Sequence, residues 1–408
     1  MKRAKIFIIV LIIAIIIISF LLITAFFPRV HTITIQLSKS VSIDGGASDS
    51  DAAVGMIMAD DGTLFVTGLV TTPSNGTDLW LAKFDQELNL IKNITINGPA
   101  SGNDMGYTLA LDENNSLYLV GYLTQVGTDH DIFLAKFDPT DLSLEKGVLI
   151  NGPASGTDDG YGILYNPTDK NIYIAGTVED PVGGYNIYLA KFYTNLTLIK
   201  NVMFDGPSSN TDKGRFLAFD SSGNLYVSGS KSQVGTGYDM WLGKFDVNLT
   251  LIDEVILASP TSGEDKGYGI LIDENDIIYL TGTLNHSTQG FNMFLAKFDT
   301  DLNQLKNITI NGPLNGDDVA YSLVLDAQNY LIQAGMYSEM VGGINIWVAV
   351  YDTQLNLLAS HTVKGELNGY DSGYGVILGQ NDDFYVSGFI NSSLENTNLW
   401  IARYLLVY

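Results

Sequence analysis

The chain has 408 residues, with 21 basic against 45 acidic side chains, a formal net charge of −24 and no cysteine. A charge of that sign disfavours binding to nucleic acid and to anionic headgroups. Without cysteine there are no thiol nucleophiles, disulfides or thiolate metal sites, and the four histidines form no local ligand pair.

Residues Ile6 to Phe27 carry no charge and are almost wholly apolar, a length sufficient to cross a hydrocarbon core of about 30 Å as a helix. Lys2, Arg3 and Lys5 precede the run, so the positive-inside rule puts the N-terminus in the cytoplasm and the rest of the chain outside. The run exceeds the apolar region of a cleaved signal peptide, and Ala25-Phe26-Phe27 is a poor cleavage site. The expectation is a single-pass signal anchor over 6–27, with 1–5 cytoplasmic, 28–36 a linker and 37–408 an extracellular domain.

That domain repeats. A glycine closes a short apolar run at Gly68, Gly121, Gly176, Gly229, Gly282, Gly335 and Gly388, at spacings of 53, 55, 53, 53, 53 and 53. Lys83 recurs as Lys136, Lys191, Lys244 and Lys297, then as Val350 and Arg403, which gives the same count of seven. Each unit reads as four short strands with period-2 alternation, separated by Gly, Asn, Asp and Pro. The third strand carries a fixed aromatic: Trp80, Phe133, Tyr188, Trp241, Phe294, Trp347 and Trp400. Repeats of this length with four strands predict an all-β fold, a seven-bladed β-propeller of four-stranded blades. The last unit stops after its third strand, while Val41-Ser42-Ile43-Asp44-Gly45 matches the end of a fourth. Residues Leu37 to Ile43 are therefore expected to complete the last blade beside Trp400 to Leu406. The linker spans at most about 30 Å, holding the ring close to the membrane.

Gly-Pro-x-Ser-Gly-x-Asp-x-Gly-Tyr-Gly at Gly152 to Gly162, the Asp220 to Gly229 stretch and Phe-Leu-Ala-Lys-Phe-Asp at Phe294 to Asp299 resemble the SBBP-type β-propeller repeat family. The resemblance covers nearly all of residues 41 to 404. It implies a secreted or surface-attached propeller and supplies no catalytic residues. The sixth unit departs most, with Val350 for Lys and Gln333-Ala334 in its second strand, and the fourth has Arg215 where Tyr is usual.

One Asp recurs in the loop before the innermost strand of every unit: Asp51, Asp104, Asp158, Asp212, Asp265, Asp318 and Asp371. A ring of such carboxylates suits Ca²⁺, which takes oxygen ligands. The competing reading is that each Asp accepts hydrogen bonds within its own loop. A second polar position, Asp78, Asp131, Asn186, Asp239, Asn292, Asn345 and Asn398, interchanges Asp and Asn as a turn cap would. The repeated Lys is expected to pack its stem on the strand and reach a carboxylate at a strand end.

Tyr185, Tyr238, Phe291 and Ile344 stand just before the third strand on consecutive units. They are a candidate patch for a protein or glycan, or they tuck against the neighbouring blade. Asn-x-Ser/Thr sequons at Asn75, Asn93, Asn114, Asn195, Asn248, Asn285, Asn307 and Asn391 avoid the innermost strand, as glycan acceptors must. No nucleophile elbow, metal-binding His cluster or phosphate loop occurs. The expected function is a membrane-anchored extracellular binding or scaffold module for adhesion or envelope organisation, without evident catalysis. The alternatives are an extracellular hydrolase or lyase with residues dispersed over loops, and a Ca²⁺-stabilised structural domain.

Overall fold

The computed structural model describes residues 33–407 apart from 47–49, 73–75, 101, 128, 183, 209, 260, 262, 341–342, 366–368, 381–382 and 394–395. The proposed membrane anchor, most of the linker and the sequon at Asn75 lie outside the described residues.

Seven four-stranded antiparallel sheets form the blades of a propeller. Blade 1 runs Ala52–Met58, Leu64–Thr72, Gly76–Phe84 and Leu90–Ile96, from the central channel outward. Blades 2 to 6 repeat this order, with innermost strands at Met105–Leu111, Asp159–Asn166, Lys213–Phe219, Lys266–Ile272 and Val319–Leu325. Blade 7 takes Ser372–Leu378, Asp383–Ser393 and Asn396–Val407 from the C-terminal end of the chain and Thr34–Ile43 from the N-terminal side. The last pairing is antiparallel, Ser42 opposite Trp400 and Ile35 opposite Leu406. The closing strand therefore begins at Thr34, ahead of the expected Leu37. It covers the edge that Asn396–Val407 would otherwise expose.

The core lies between blades. Seven apolar clusters each join residues of two neighbouring blades, one per interface. The cluster of Ala53, Trp80 and Phe84 with Tyr385, Leu399 and Ile401 seals blade 7 to blade 1. The seven strand-three aromatics are all at most 4% exposed, as inter-blade packing requires. The repeated Lys also links blades, mainly through carbonyls rather than carboxylates. Lys83 donates to the Pro139 carbonyl at 3.0 Å and Lys244 to that of Thr300 at 2.7 Å. Lys191 does both, reaching the Val247 carbonyl at 3.1 Å and Asp169 at 2.8 Å.

The repeat glycine has a local reason. A Cβ on Gly229 would collide with the Lys213 carbonyl, and one on Gly388 with that of Ser372. This close approach sits beside a β-bulge that interrupts every innermost strand, for example between Gly106 and Thr108 and between Gly373 and Gly375. A bulge re-aims the side chain it carries. Here the bulges fall at Val54, Tyr107, Tyr161, Arg215, Tyr268, Tyr321 and Tyr374, all of which line the central channel.

Candidate functional site: the central channel

Five tyrosines, one valine and one arginine occupy equivalent positions around the channel. The tyrosines meet edge to face, with ring centroids 4.8 Å apart for Tyr107 and Tyr161, 4.9 Å for Tyr268 and Tyr321, and 5.0 Å for Tyr321 and Tyr374. That geometry sets the positive edge of one ring against the negative face of the next. Arg215 interrupts the series, its guanidinium carbon 5.1 Å from the Tyr161 centroid and 4.5 Å from that of Tyr268. On the other side Val54, between Tyr374 and Tyr107, leaves room. The resulting cavity measures about 290 Å³ and is completed by Met56, Met105, Phe216 and Ile377. A second cavity of about 190 Å³, lined by Lys213, Ser230, Tyr238 and Lys266, shares Arg215 with the first.

Polar groups gather beside the belt in blades 2 to 5. Asp159 Oδ2 accepts the Tyr161 hydroxyl at 2.9 Å, and that hydroxyl accepts Lys213 Nζ at 3.0 Å. His130 Nδ1 lies 3.5 Å from Asp159 Oδ1, and its ring stacks on Tyr122 at 4.1 Å. The Asp159 carboxylate holds His130 above its ordinary pKa. Burial pushes the Tyr161 phenol well above its usual range, so it is a neutral donor at physiological pH. Burial, reinforced by the charge of Arg215, lowers the Lys213 ammonium to about 8. Lys266 is already paired with Glu264 at 2.7 Å.

The seven recurrent aspartates are wholly buried, and each is committed to backbone. Asp158 Oδ2 accepts the Gly152 N–H at 2.5 Å and Oδ1 that of Glu179 at 2.9 Å. Its own N–H donates to the His130 carbonyl at 2.8 Å. The other six repeat this pattern: Asp51 with Gly45 and Thr71, Asp104 with Gly98 and Thr124, and Asp212 with Gly206 and Ser232. Asp265 takes Ser259 and Asn285, Asp318 takes Gly312 and Ser338, and Asp371 takes Gly365 and Asn391. Each carboxylate thus ties the loop leaving one blade to the second strand of the next, which is the loop-bonding role weighed against calcium. Among the described residues no group of three or more His, Asp or Glu side chains is placed to hold a metal ion.

Tyr185, Tyr238, Phe291 and Ile344, expected just before strand three, are its first or second residue and are half-buried. The Tyr238 hydroxyl donates to Glu264 of the next blade at 2.7 Å, Phe291 lies under Lys266 at 5.1 Å, and the backbones of Tyr185 and Ile344 bridge to Thr211 and Tyr370. Exposed apolar residues in the loops of that face include Val126, Val182, Val234 and Met340. Of the described sequons, Asn93, Asn114, Asn195, Asn248 and Asn307 are exposed, whereas Asn285 and Asn391 are half-buried.

Sequence reasoning missed the channel belt, although its signal was present: a Tyr at one fixed place in the innermost strand, replaced by Arg215 in one unit.

No protein-family model and no curated protein matches the sequence. Solved structures match the fold. The WD40 repeats of RRP9 superpose with a TM-score of 0.59 at 10% identity, covering 92% of this chain and 100% of that one. A protein of unknown function from Dyadobacter fermentans gives 0.51 at 12% identity, covering 91% and 99%. The extracellular domain of a one component system from B. thetaiotaomicron gives 0.49 at 12% identity, covering 90% of this chain and 42% of that one. Likeness at these identities is likeness of fold.

Proposed function

We propose that this chain is a binding module: a seven-bladed propeller, held outside the cell by its N-terminal apolar segment, that takes a small ligand into its central channel. The observation that carries the reading is the break in the repeat, where one arginine and one valine replace tyrosine in an otherwise uniform belt. Fold maintenance asks for equivalent residues at equivalent positions, so side chains that break the pattern around a cavity mark a site. The apolar run of Ile6 to Phe27 and its basic flank support the anchored orientation, and the Gly-Tyr and Leu-Ala-Lys-Phe-Asp repeats support kinship with SBBP-type surface propellers. Adhesion or envelope organisation would then rest on the outer faces, where a protein or glycan partner has access.

Two measurements test this. Protease treatment of intact cells should digest the propeller while an intracellular control survives; protection of the propeller would refute the orientation. A thermal-shift screen of the full chain in detergent, against small anions, neutral sugars and aromatic compounds, should find a ligand whose effect is lost in V54W, which fills the cavity. A screen without any such ligand would refute channel binding.

One observation favours a second reading. Asp159, His130, Tyr161 and Lys213 form an asymmetric group of titratable side chains at one end of the channel, as a hydrolase or lyase would require. The lowered Lys213 ammonium is the member poised to exchange a proton near neutrality. Turnover of a nitrophenyl ester or uronate oligosaccharide that vanishes in K213M would establish it; unchanged turnover in that variant would end it.

A further inference from the structure

Arg215 presents a charge that the protein does not neutralise. Its Nε is buried without a hydrogen-bond partner, and among the described residues no carboxylate lies within ion-pair distance of the guanidinium. Its neighbours are the faces of Tyr161 and Tyr268, whose cation–π attraction offsets only part of the cost of desolvating a charge, and arginine does not shed its proton. In a chain of net charge −24, carboxylates were abundant, yet none is set against this cation. The neighbouring Lys213 donates to the Tyr161 hydroxyl, whereas the Arg215 guanidinium makes no ion pair, among the described residues, across the cavity it lines.

We propose that the channel binds a small apolar monocarboxylate, its carboxylate on Arg215 and its body in the space that Val54 leaves open. This rests on the channel being the ligand site. The planar fork of arginine matches the two oxygens of a carboxylate. The rest of the lining favours an apolar body: Met56, Met105, Phe216 and Ile377 offer carbon and sulfur, the tyrosines offer ring surface, and the polar groups are hydroxyls such as those of Thr108 and Ser322. A volume of about 290 Å³ admits a benzoate-sized or six-carbon acid and not an oligomer. Lys213 in the adjoining cavity adds positive potential beside Arg215 and draws anions into the channel despite the acidic exterior.

The test is calorimetry on the full chain in detergent, with benzoate and hexanoate as probes, benzamide as the neutral isostere and glucuronate as the hydroxylated acid. Benzoate or hexanoate should bind, and benzamide should bind at least about tenfold more weakly, the usual worth of a charged hydrogen bond. R215Q should lose a similar factor while melting no lower than the wild type. V54W, with Arg215 intact, should also lose binding because the body has no room. Equal affinity for benzamide, or wild-type affinity in R215Q, would overturn the role of Arg215. Binding of glucuronate in place of the apolar acids would overturn the ligand class yet leave channel binding standing. Failure of all four probes in the presence of a neutral channel ligand would overturn the proposal alone.

Discussion

The guanidinium carbon of Arg215 lies 4.5 Å from the ring centroid of Tyr268, which occupies the equivalent position one blade further on. Both residues sit at the bulge of their innermost strand, and the bulge turns each side chain into the channel. The backbone is the same and the chemistry differs, so the belt can be made uniform without disturbing the blade. R215Y should therefore raise the melting temperature of the ligand-free protein, because replacing a half-buried, unpaired charge by a packed ring removes a desolvation cost. Differential scanning calorimetry reads this directly. A lowered melting temperature would mean that the cation contributes to holding blades 3, 4 and 5 together.

The buried aspartates act as staples between blades. In D158A the N–H groups of Gly152 and Glu179 lose their acceptor, and unsatisfied buried donors cost about 1–3 kcal/mol each. A loss of about 2–4 kcal/mol is expected by chemical denaturation. D158N keeps an acceptor oxygen and sheds a charge whose burial is unfavourable, so it should cost less than D158A. Equal losses would show that charge, and not the acceptor, is what the site needs.

Calcium offers an independent check on the same residues. Both oxygens of Asp158 and of Asp318 are taken up by backbone N–H groups, and a cation would have to displace those bonds. Millimolar Ca²⁺ and EDTA are expected to leave the melting temperature within error of each other. A chelator-induced drop would restore the metal ring.

Stability should depend on pH with a definite sign. Burial raises Asp158 from 3.8 to about 6 and shifts Asp104, Asp212, Asp265, Asp318 and Asp371 upward as well. Such groups bind more protons in the folded state, so their contribution declines as pH rises between the unfolded and folded values. His130, raised by Asp159, stabilises fully below its unfolded value and loses that contribution as pH climbs through its folded one. The turn aspartates Asp85 and Asp299 are lowered, chiefly by hydrogen bonds from Asn89 and Asn303, and they lose stability only as pH falls below the ordinary carboxylate value. The melting temperature should therefore rise from pH 7.5 to about pH 5 and fall again below about pH 4. A monotonic decline on acidification would contradict the upward shifts.

The blade count was legible because a closed ring leaves almost no freedom in repeat length. The glycine spacing registers the collision that a side chain at Gly229 or Gly388 would suffer, and the strand-three aromatics register inter-blade burial. Closure by the N-terminal segment was legible because Val41 to Ile43 carries the signature of an outermost strand with no blade of its own. The channel was not legible. An alternating strand reads Tyr107, Leu109 and Leu111 as one face, whereas the bulge after Gly106 takes Tyr107 out of that alternation and into the lumen. Bulges leave no mark beyond a Gly-Tyr pair that also fits an ordinary turn. Arg215 was visible as a departure from the repeat, yet only the ring shows that its partners are aromatic faces. The aspartates were legible as a pattern, but their partners come from the loop leaving one blade and the second strand of the next, a pairing fixed by the packing of the ring.

The closing strand provides the remaining prediction. Thr34–Ile43 pairs with Asn396–Val407 along the whole outer edge of blade 7, and Val41 and Ile43 pack onto the cluster that joins blade 7 to blade 1. Lys39 reaches across to Asn89 in blade 1 at 3.1 Å. Replacing Val41 and Ile43 together by Asp places two charges against apolar neighbours and disrupts the pairing from the end where they face Ile401 and Leu399. The edge of Asn396–Val407 then becomes a template for pairing with other chains. The double variant should lose most of its unfolding cooperativity and form oligomers on size-exclusion chromatography, with rapid proteolysis near the end of blade 7. A synthetic peptide of residues 33–44, added in excess, should restore a monomeric peak by supplying the missing strand in trans. If the variant stays monomeric and melts as the wild type does, blade 7 holds its edge without the clasp, and closure rests on the contacts of Tyr385 with Gln86 and of Ser387 with Val54.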